Sequence, residues 1–207
     1  DHCVPTPDWL ADFRARLADY PDAGAIGGCV VNGVGERPLD WATFLCEYAA
    51  FAPPLATGPT ASLAGMNVVY RRAALEAVPA AALTRGFWET TVHPLIAQAG
   101  FALVQDPRVV VRHCKRFSFA LFAAQRYTYS RYFGGIRFPR AALGRRAFAA
   151  LACMLIPPLM LYRLLRAVRA KPAIAGHAWR AIPYLLAFYV IWAVGEAVGY
   201  ARGLAHC

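Results

Sequence analysis

Hydrophobic and polar positions alternate along this chain with two different periods, and the change between them marks out its elements. Trp9, Leu10, Phe13 and Leu17 recur at helical spacing, with Arg14 and Arg16 mostly on the other side and Thr6 or Asp8 available as a cap. The stretch YPDAG breaks that helix. AIGGCVVNG then reads as a short buried strand ended by Asn32-Gly33. LDWATFLCEYAAF has helical spacing, and APPLATGPT reads as a loop. ASLAGMNVVYRRAALEAV predicts a short strand, a tight turn containing Gly65 and a helix from about Arg72, stopped by Pro79. RGFWETTVHPLIAQAG places a polar turn before another helix closed by Gly100. FALVQDPRVVVRHC reads as two short strands split at Asp106-Pro107. Helices and buried strands in alternation predict an α/β fold.

From Lys115 the pattern changes. KRFSFALFAAQRYTYSRYFGG predicts an amphipathic helix with aromatics on one side and Arg on another, suited to a membrane interface. Residues 147–162, AFAALACMLIPPLMLY, form an apolar run of sixteen, about 24 Å as a helix. Residues 181–200, AIPYLLAFYVIWAVGEAVGY, form a run of twenty, about 30 Å, which matches a bilayer core. Between them stand Arg163, Arg166, Arg169, Lys171 and Arg180. A two-span hairpin would carry those charges to the outer side, against the positive-inside rule. The pattern thus leaves two arrangements open: an in-plane or re-entrant first segment with one true span, or a hairpin. Three regions are expected: 1–114 as the α/β domain, 115–146 as interfacial helix and basic linker, and 147–207 as an α-helical membrane-associated tail.

Charge sharpens this division. Apolar residues make up 58% of the 207 and charged residues only 16%, below the roughly 25% of soluble domains. Residues 1–106 hold six Arg and eleven acids, whereas residues 107–207 hold sixteen Lys or Arg and one acid, Glu196. The cations flank apolar runs, and twenty of the twenty-two are Arg. That placement favours a membrane surface over nucleic acid, for which no interleaved basic-aromatic motif stands out. The six cysteines make no C-x-x-C pair and are expected as free thiols in a reducing compartment.

Four stretches could carry chemistry. Asp1 and His2 put a carboxylate beside an imidazole, donors that suit a divalent ion together with phosphate oxygens; an ordinary exposed terminus is the plainer reading. In LAGMNVVY, Gly65 permits close backbone approach and Asn67 offers an amide, although a plain turn and core strand would read the same. In RGFWETTVHPL, Glu89 stands at a loop–helix junction, where a carboxylate serves as a general base or simply faces the helix dipole. His93 reads better as a core histidine than as a catalytic one. In QRYTYSRYFGG, Gln125, Arg126 and Arg131 combine forked donors with aromatic faces, a chemistry that fits phosphate groups or lipid headgroups.

The order of these stretches carries more than any one of them. An acidic start followed by PTPDWL, then GAIGG, AGMNVVYRRAAL, GFWE, PRVVVRH, a basic-aromatic QR and a tail ending GEAVGYARG resembles the membrane-associated family-2 glycosyltransferases of bacteria, over nearly the whole chain. The resemblance implies a GT-A (Rossmann-like) fold, here incomplete, with about ninety residues of nucleotide-binding sheet upstream of Asp1. It implies a D-x-D-like metal motif at Asp1 and His2 holding Mg or Mn on the diphosphate of a nucleotide-sugar donor. It implies Glu89 as the base and substrate contacts at Gly65, Asn67, Trp88, Gln125 and Arg126. His2 departs from the motif's final carboxylate, and Thr90 follows Glu89 where an acid is commoner. Tyr129 and Thr128 stand where the Trp and Arg of a Q-x-x-R-W motif would, which speaks against processive synthesis.

The expected activity is inverting transfer to a glycan, polysaccharide or lipid-linked acceptor at the bacterial inner (cytoplasmic) membrane, with the catalytic part cytoplasmic. Without its upstream half the chain is expected to be inactive alone. A membrane-anchored α/β protein that binds a partner without catalysis, and a membrane transferase of lipid or phosphate groups, are the competing expectations.

Overall fold

The computed structural model describes residues 2–84, 86, 89–138 and 141–203. The chain divides into two compact units: residues 1–34 with 50–115, and residues 35–49 with 116–207. Residues 35–49 therefore leave the α/β domain in which the sequence pattern placed them.

The first unit is an α/β layer structure. Its mixed sheet has the order β1 (Cys3–Pro5), β5 (Ala102–His113), β2 (Ala23–Asn32), β4 (Val68–Tyr70), with β3 (Gly58–Pro59) also on β5. The central β2–β5 pair is parallel, and the other pairings are antiparallel. Alternation along the strands sends side chains to two cores. Ala25 and Leu103 point to one, with Leu63, Ala74, Val92 and Ile96 from the turn at 63–67 and from α3 (Arg72–Glu76) and α5 (Val92–Gln98). Ile26 and Val104 point to the other, against Phe13 and Trp9 of α1 (Trp9–Asp19). Phe13 is fully buried, worth about 1.5–3 kcal/mol. Arg71 closes the C-terminal end of α1, donating from Nη2 to Leu17 O at 2.6 Å and from Nε to Ala23 O at 2.9 Å.

The break expected at Asp106-Pro107 does not split the strand: β5 runs unbroken through both residues. Gly27 pairs with Gln105 and Cys29 with Val110, so residues 106–109 bulge opposite Gly28 alone. Pro107 sits in this bulge, where no ladder bond is asked of its nitrogen. A Cβ on Gly28 would run into Val109 O and Asp106 O. The bulge is held from both sides. Asp106, buried, accepts from Arg108 N at 3.0 Å, Nε at 2.9 Å and Nη2 at 2.6 Å. Asn67, wholly buried, donates from Nδ2 to Cys29 O at 2.8 Å and Val109 O at 3.1 Å, and accepts from Trp9 Nε1 at 2.9 Å.

The second unit is helical. Here α2 (Pro38–Tyr48), α6 (Phe119–Arg137), α7 (Leu143–Ala152) and α8 (Ile156–Arg169) surround α9 (Pro172–Arg202). A short helix, α4 (Ala80–Leu83), belongs to the first unit. The recruitment of α2 explains the unexpected boundary: Trp41 stacks on His177 with ring centroids 3.9 Å apart, and Lys171 Nζ donates to Ala49 O at 2.9 Å. Buried Asp40 and exposed Arg37 close the start of α2 as a capping box. Along α9, α6 runs parallel: Phe119 meets Phe188, Ser130 meets Gly195, and Arg137 meets Tyr200. Small residues let the two backbones touch. A Cβ at Gly195 would strike Ser130 Oγ and Tyr127 O, one at Gly199 would strike Arg131 O, and one at Gly134 would strike Glu196 O. Ser130 and Gly134 on one helix, and Gly195 and Gly199 on the other, make the small-xxx-small seam common between membrane helices.

Leu143–Arg169 and Pro172–Arg202, of 27 and 31 residues, are both long and apolar enough to cross a membrane. They form a hairpin. Arg146 near the start of one donates to Tyr200 O and Ala201 O at the end of the other, at 2.8 and 2.7 Å. Pro157 and Pro158 fall in the first turn of α8, where a missing N–H leaves no bond unmade. Little of the first arm's apolar surface is buried, and Phe148, Leu151, Met154 and Leu155 stand exposed. Exposure on that scale is compatible with membrane association.

Two stability outcomes are expected. Asn67→Ala removes the hydrogen bonds to two buried carbonyls and to the Trp9 indole, and should lower stability by about 3 kcal/mol; a melt of the first unit's signal within a degree or two of the parent refutes the clamp. Gly195→Leu should part α6 from α9 and lower the thermal midpoint, whereas Val194→Leu on the exposed side should leave it unchanged.

Candidate functional site

The turn between residues 63 and 67 organises the polar groups of the first unit. Glu89, in the turn before α5, and His93, in its first turn, hold its backbone. Gly65 N donates to Glu89 Oε1 at 3.1 Å, and Leu63 N donates to His93 Nδ1 at 3.4 Å. A Cβ on Gly65 would stand 3.0 Å from the same Oε1, so glycine is what lets the carboxylate approach. Glu89 is partly exposed and His93 is fully buried.

His93 is a core histidine. Its Nδ1 accepts from a backbone N–H, which puts the ring proton on Nε2, and Nε2 lies 2.8 Å from the Tyr70 hydroxyl. Burial holds His93 below the ordinary imidazole range, with the nearby Glu89 charge working in the other direction. Tyr70 is pushed up by burial first and by the Glu89 charge second. The group next to Glu89 is therefore a neutral imidazole paired with a neutral phenol.

The amino-terminal strand is fastened to the same turn. Cys3 Sγ lies 3.5 Å from Met66 Sδ, and β1 pairs with β5 in the register Cys3 to His113. His2 meets the buried His113 ring edge-on, with centroids 5.2 Å apart. Burial, then the His2 and Lys115 charges, push His113 down to about 4. Among the described residues no three His, Cys, Asp or Glu side chains converge on a point where a metal ion could sit. Asp1, His2's expected partner in a metal motif, lies outside the described residues, as does Trp88. The described donors alone do not make a metal site.

Three residues proposed from sequence have structural roles. Asn67 clamps the β5 bulge from a position with no solvent access, its amide donating to two backbone carbonyls. Arg126 belongs to the second unit, 5% exposed, ion-paired with Glu47 and enclosed by the Phe122, Tyr129 and Trp192 rings at 4.8–5.5 Å. The arginine side of α6 at this position is thus its inner side, because Glu47 of α2 supplies the counter-charge. Gly65 holds Glu89 through its backbone. Gln125 is exposed on α6, on an uncharged face shared with Leu121, Thr128 and Tyr132. Sequence reasoning passed over Arg71, Cys3, Met66 and His113. The paired Arg in VVYRRAAL was the one visible signal among them.

No family model, curated protein or solved structure matched this chain.

His113 makes stability depend on pH. The unfolded imidazole takes up a proton near 6.5 and the folded one only near 4. Stability is whole above pH 6.5, falls as pH drops toward 4, and levels below that, by about 3 kcal/mol. His113→Gln should flatten this slope whatever it does to stability at pH 8; an unchanged slope in urea titrations at successive pH values excludes His113 as its source.

Proposed function

We propose that this chain serves glycosyl transfer from a nucleotide-sugar donor to a membrane-proximal acceptor, a glycan, polysaccharide or lipid-linked molecule, as its resemblance to membrane-associated family-2 glycosyltransferases implies. The observation that supports this reading is the meeting of two expected parts of the site on one turn. Glu89 grips Gly65 N, and the strand that follows His2 is fastened to Met66 next door.

In this mechanism the Gly65 N–H fixes Oε1 of Glu89 and so aims the carboxylate. Oε2 takes the proton of the acceptor hydroxyl. The hydroxyl oxygen attacks the anomeric carbon, and the bond from that carbon to the diphosphate oxygen breaks. The diphosphate leaves with the electron pair, and a single displacement inverts the configuration. A divalent cation, Mg or Mn, is part of the family's chemistry and would neutralise charge on the diphosphate. His2 is the one expected ligand among the described residues, and no step is assigned to the ion. The two apolar helices are compatible with membrane association. The reading places the site at the cytoplasmic face of the bacterial inner membrane.

The test is Glu89→Gln in the intact protein, screened against a panel of sugar nucleotides. Transfer should fall by about 10²–10⁴-fold, while donor affinity by calorimetry stays within twofold. Undiminished transfer removes Glu89 from the chemistry. A parent protein that binds no sugar nucleotide at all would favour the non-catalytic, partner-binding alternative.

A further inference from the structure

We propose that a recess at the open end of the helical hairpin binds the headgroup of an anionic phospholipid. The recess lies between the end of α6, α7 and the last turns of α9 and has a volume of about 420 Å³. Its floor is apolar, formed by Phe148, Ala152 and Ile156 among others, and its rim carries Arg137 and Arg145.

The two guanidiniums are held differently. Arg137 lies over the Phe133 ring at 5.1 Å, donates to the Tyr200 hydroxyl at 3.1 Å and stands 3.6 Å from Glu196. Arg145 lies over the Phe138 ring at 4.7 Å, and among the described residues no carboxylate pairs with it. A ring covering the flat face of a guanidinium leaves its N–H edge as the donor, the geometry that suits a phosphate. Two cations against the single carboxylate of Glu196 leave the recess net positive.

The occupant follows from what adjoins the rim. Leu151, Met154 and Leu155, on the same hairpin arm as the floor residues Phe148, Ala152 and Ile156 and interleaved with them in sequence, are exposed apolar side chains. A diacyl lipid lying along them brings its phosphate to Arg145 and Arg137. A free phosphate would use the rim and leave the floor empty. A zwitterionic headgroup would set its own cation against two arginines. The inference is independent of glycosyl transfer and rests only on contact between these helices and lipid.

The experiment uses the whole chain reconstituted in phosphatidylcholine nanodiscs with equimolar phosphatidylglycerol, and counts retained lipids by native mass spectrometry. The parent should retain phosphatidylglycerol over phosphatidylcholine. Arg145→Gln should reduce that preference about tenfold, the loss of one charge-assisted contact, with the thermal midpoint unchanged because the side chain is exposed. Arg202→Gln, a cation at the same end but outside the recess, should keep the preference. Equal retention of both lipids by the parent overturns the proposal, as does equal loss in the two variants, which would mean diffuse charge. Inorganic phosphate that displaces the lipid at millimolar concentration also overturns it, in favour of a free anion. Failure to enter nanodiscs of any composition overturns it together with membrane association, and is read separately from a lost headgroup preference.

Discussion

A single buried amide, that of Asn67, ties three layers of the first unit to one another. Where residues 106–109 swing out over Gly28, the β2–β5 register shifts, and the carbonyls of Cys29 and Val109 face the interior amide of Asn67. Asn67 reaches both, and its own oxygen is taken by Trp9 on the opposite layer. Water cannot substitute at a site with no exposure, so each bond stands against the full desolvation cost of the group it satisfies. The same residue ends the 63–67 turn. Sheet, outer helix and turn are thereby referenced to one side chain, and the Glu89 carboxylate inherits its position from that turn.

The second unit solves a different problem with different means. Its helices have almost no acid to pair with sixteen cations in the chain's second half. Glu47 and Glu196 are placed where they count most, at Arg126 and at Arg137, both beside α9. Backbone contact along the glycine seam does the rest, because close approach of two helices gains dispersion and weak polar contacts without needing larger side chains. Borrowing α2 from the middle of the other unit's sequence supplies Glu47 and the Trp41 stack.

Local periodicity made much of this legible. Helix α1, the β2 strand, the helices after Arg72 and Thr91 and both apolar runs follow from spacing of residues such as Phe13, Ile26 and Leu185. The α/β class follows with them, and a Rossmann-like or GT-A identity goes beyond what the five-stranded mixed sheet establishes. What spacing could not convey was long-range. Pro107 argued for a strand break, and only the register opposite Gly28 shows why it is tolerated. Arg126 read as a phosphate ligand because its partner lies seventy-nine positions away. Asn67 read as an amide offered to a ligand because both carbonyls it serves are remote in sequence. Glu89 and Gly65 stood out singly, and their contact across twenty-four positions joined them.

The hairpin also has a consequence for how it would sit in an electric field. Arg163, Arg166, Arg169, Lys171 and Arg180 lie toward its turn, while Arg137, Arg145, Arg146 and Arg202 lie at its other tip, offset in part by Glu196. A rod charged alike at both tips has little dipole along its axis. An electric field along the hairpin would therefore find less charge separation to act on than in a rod with all its cations at one tip.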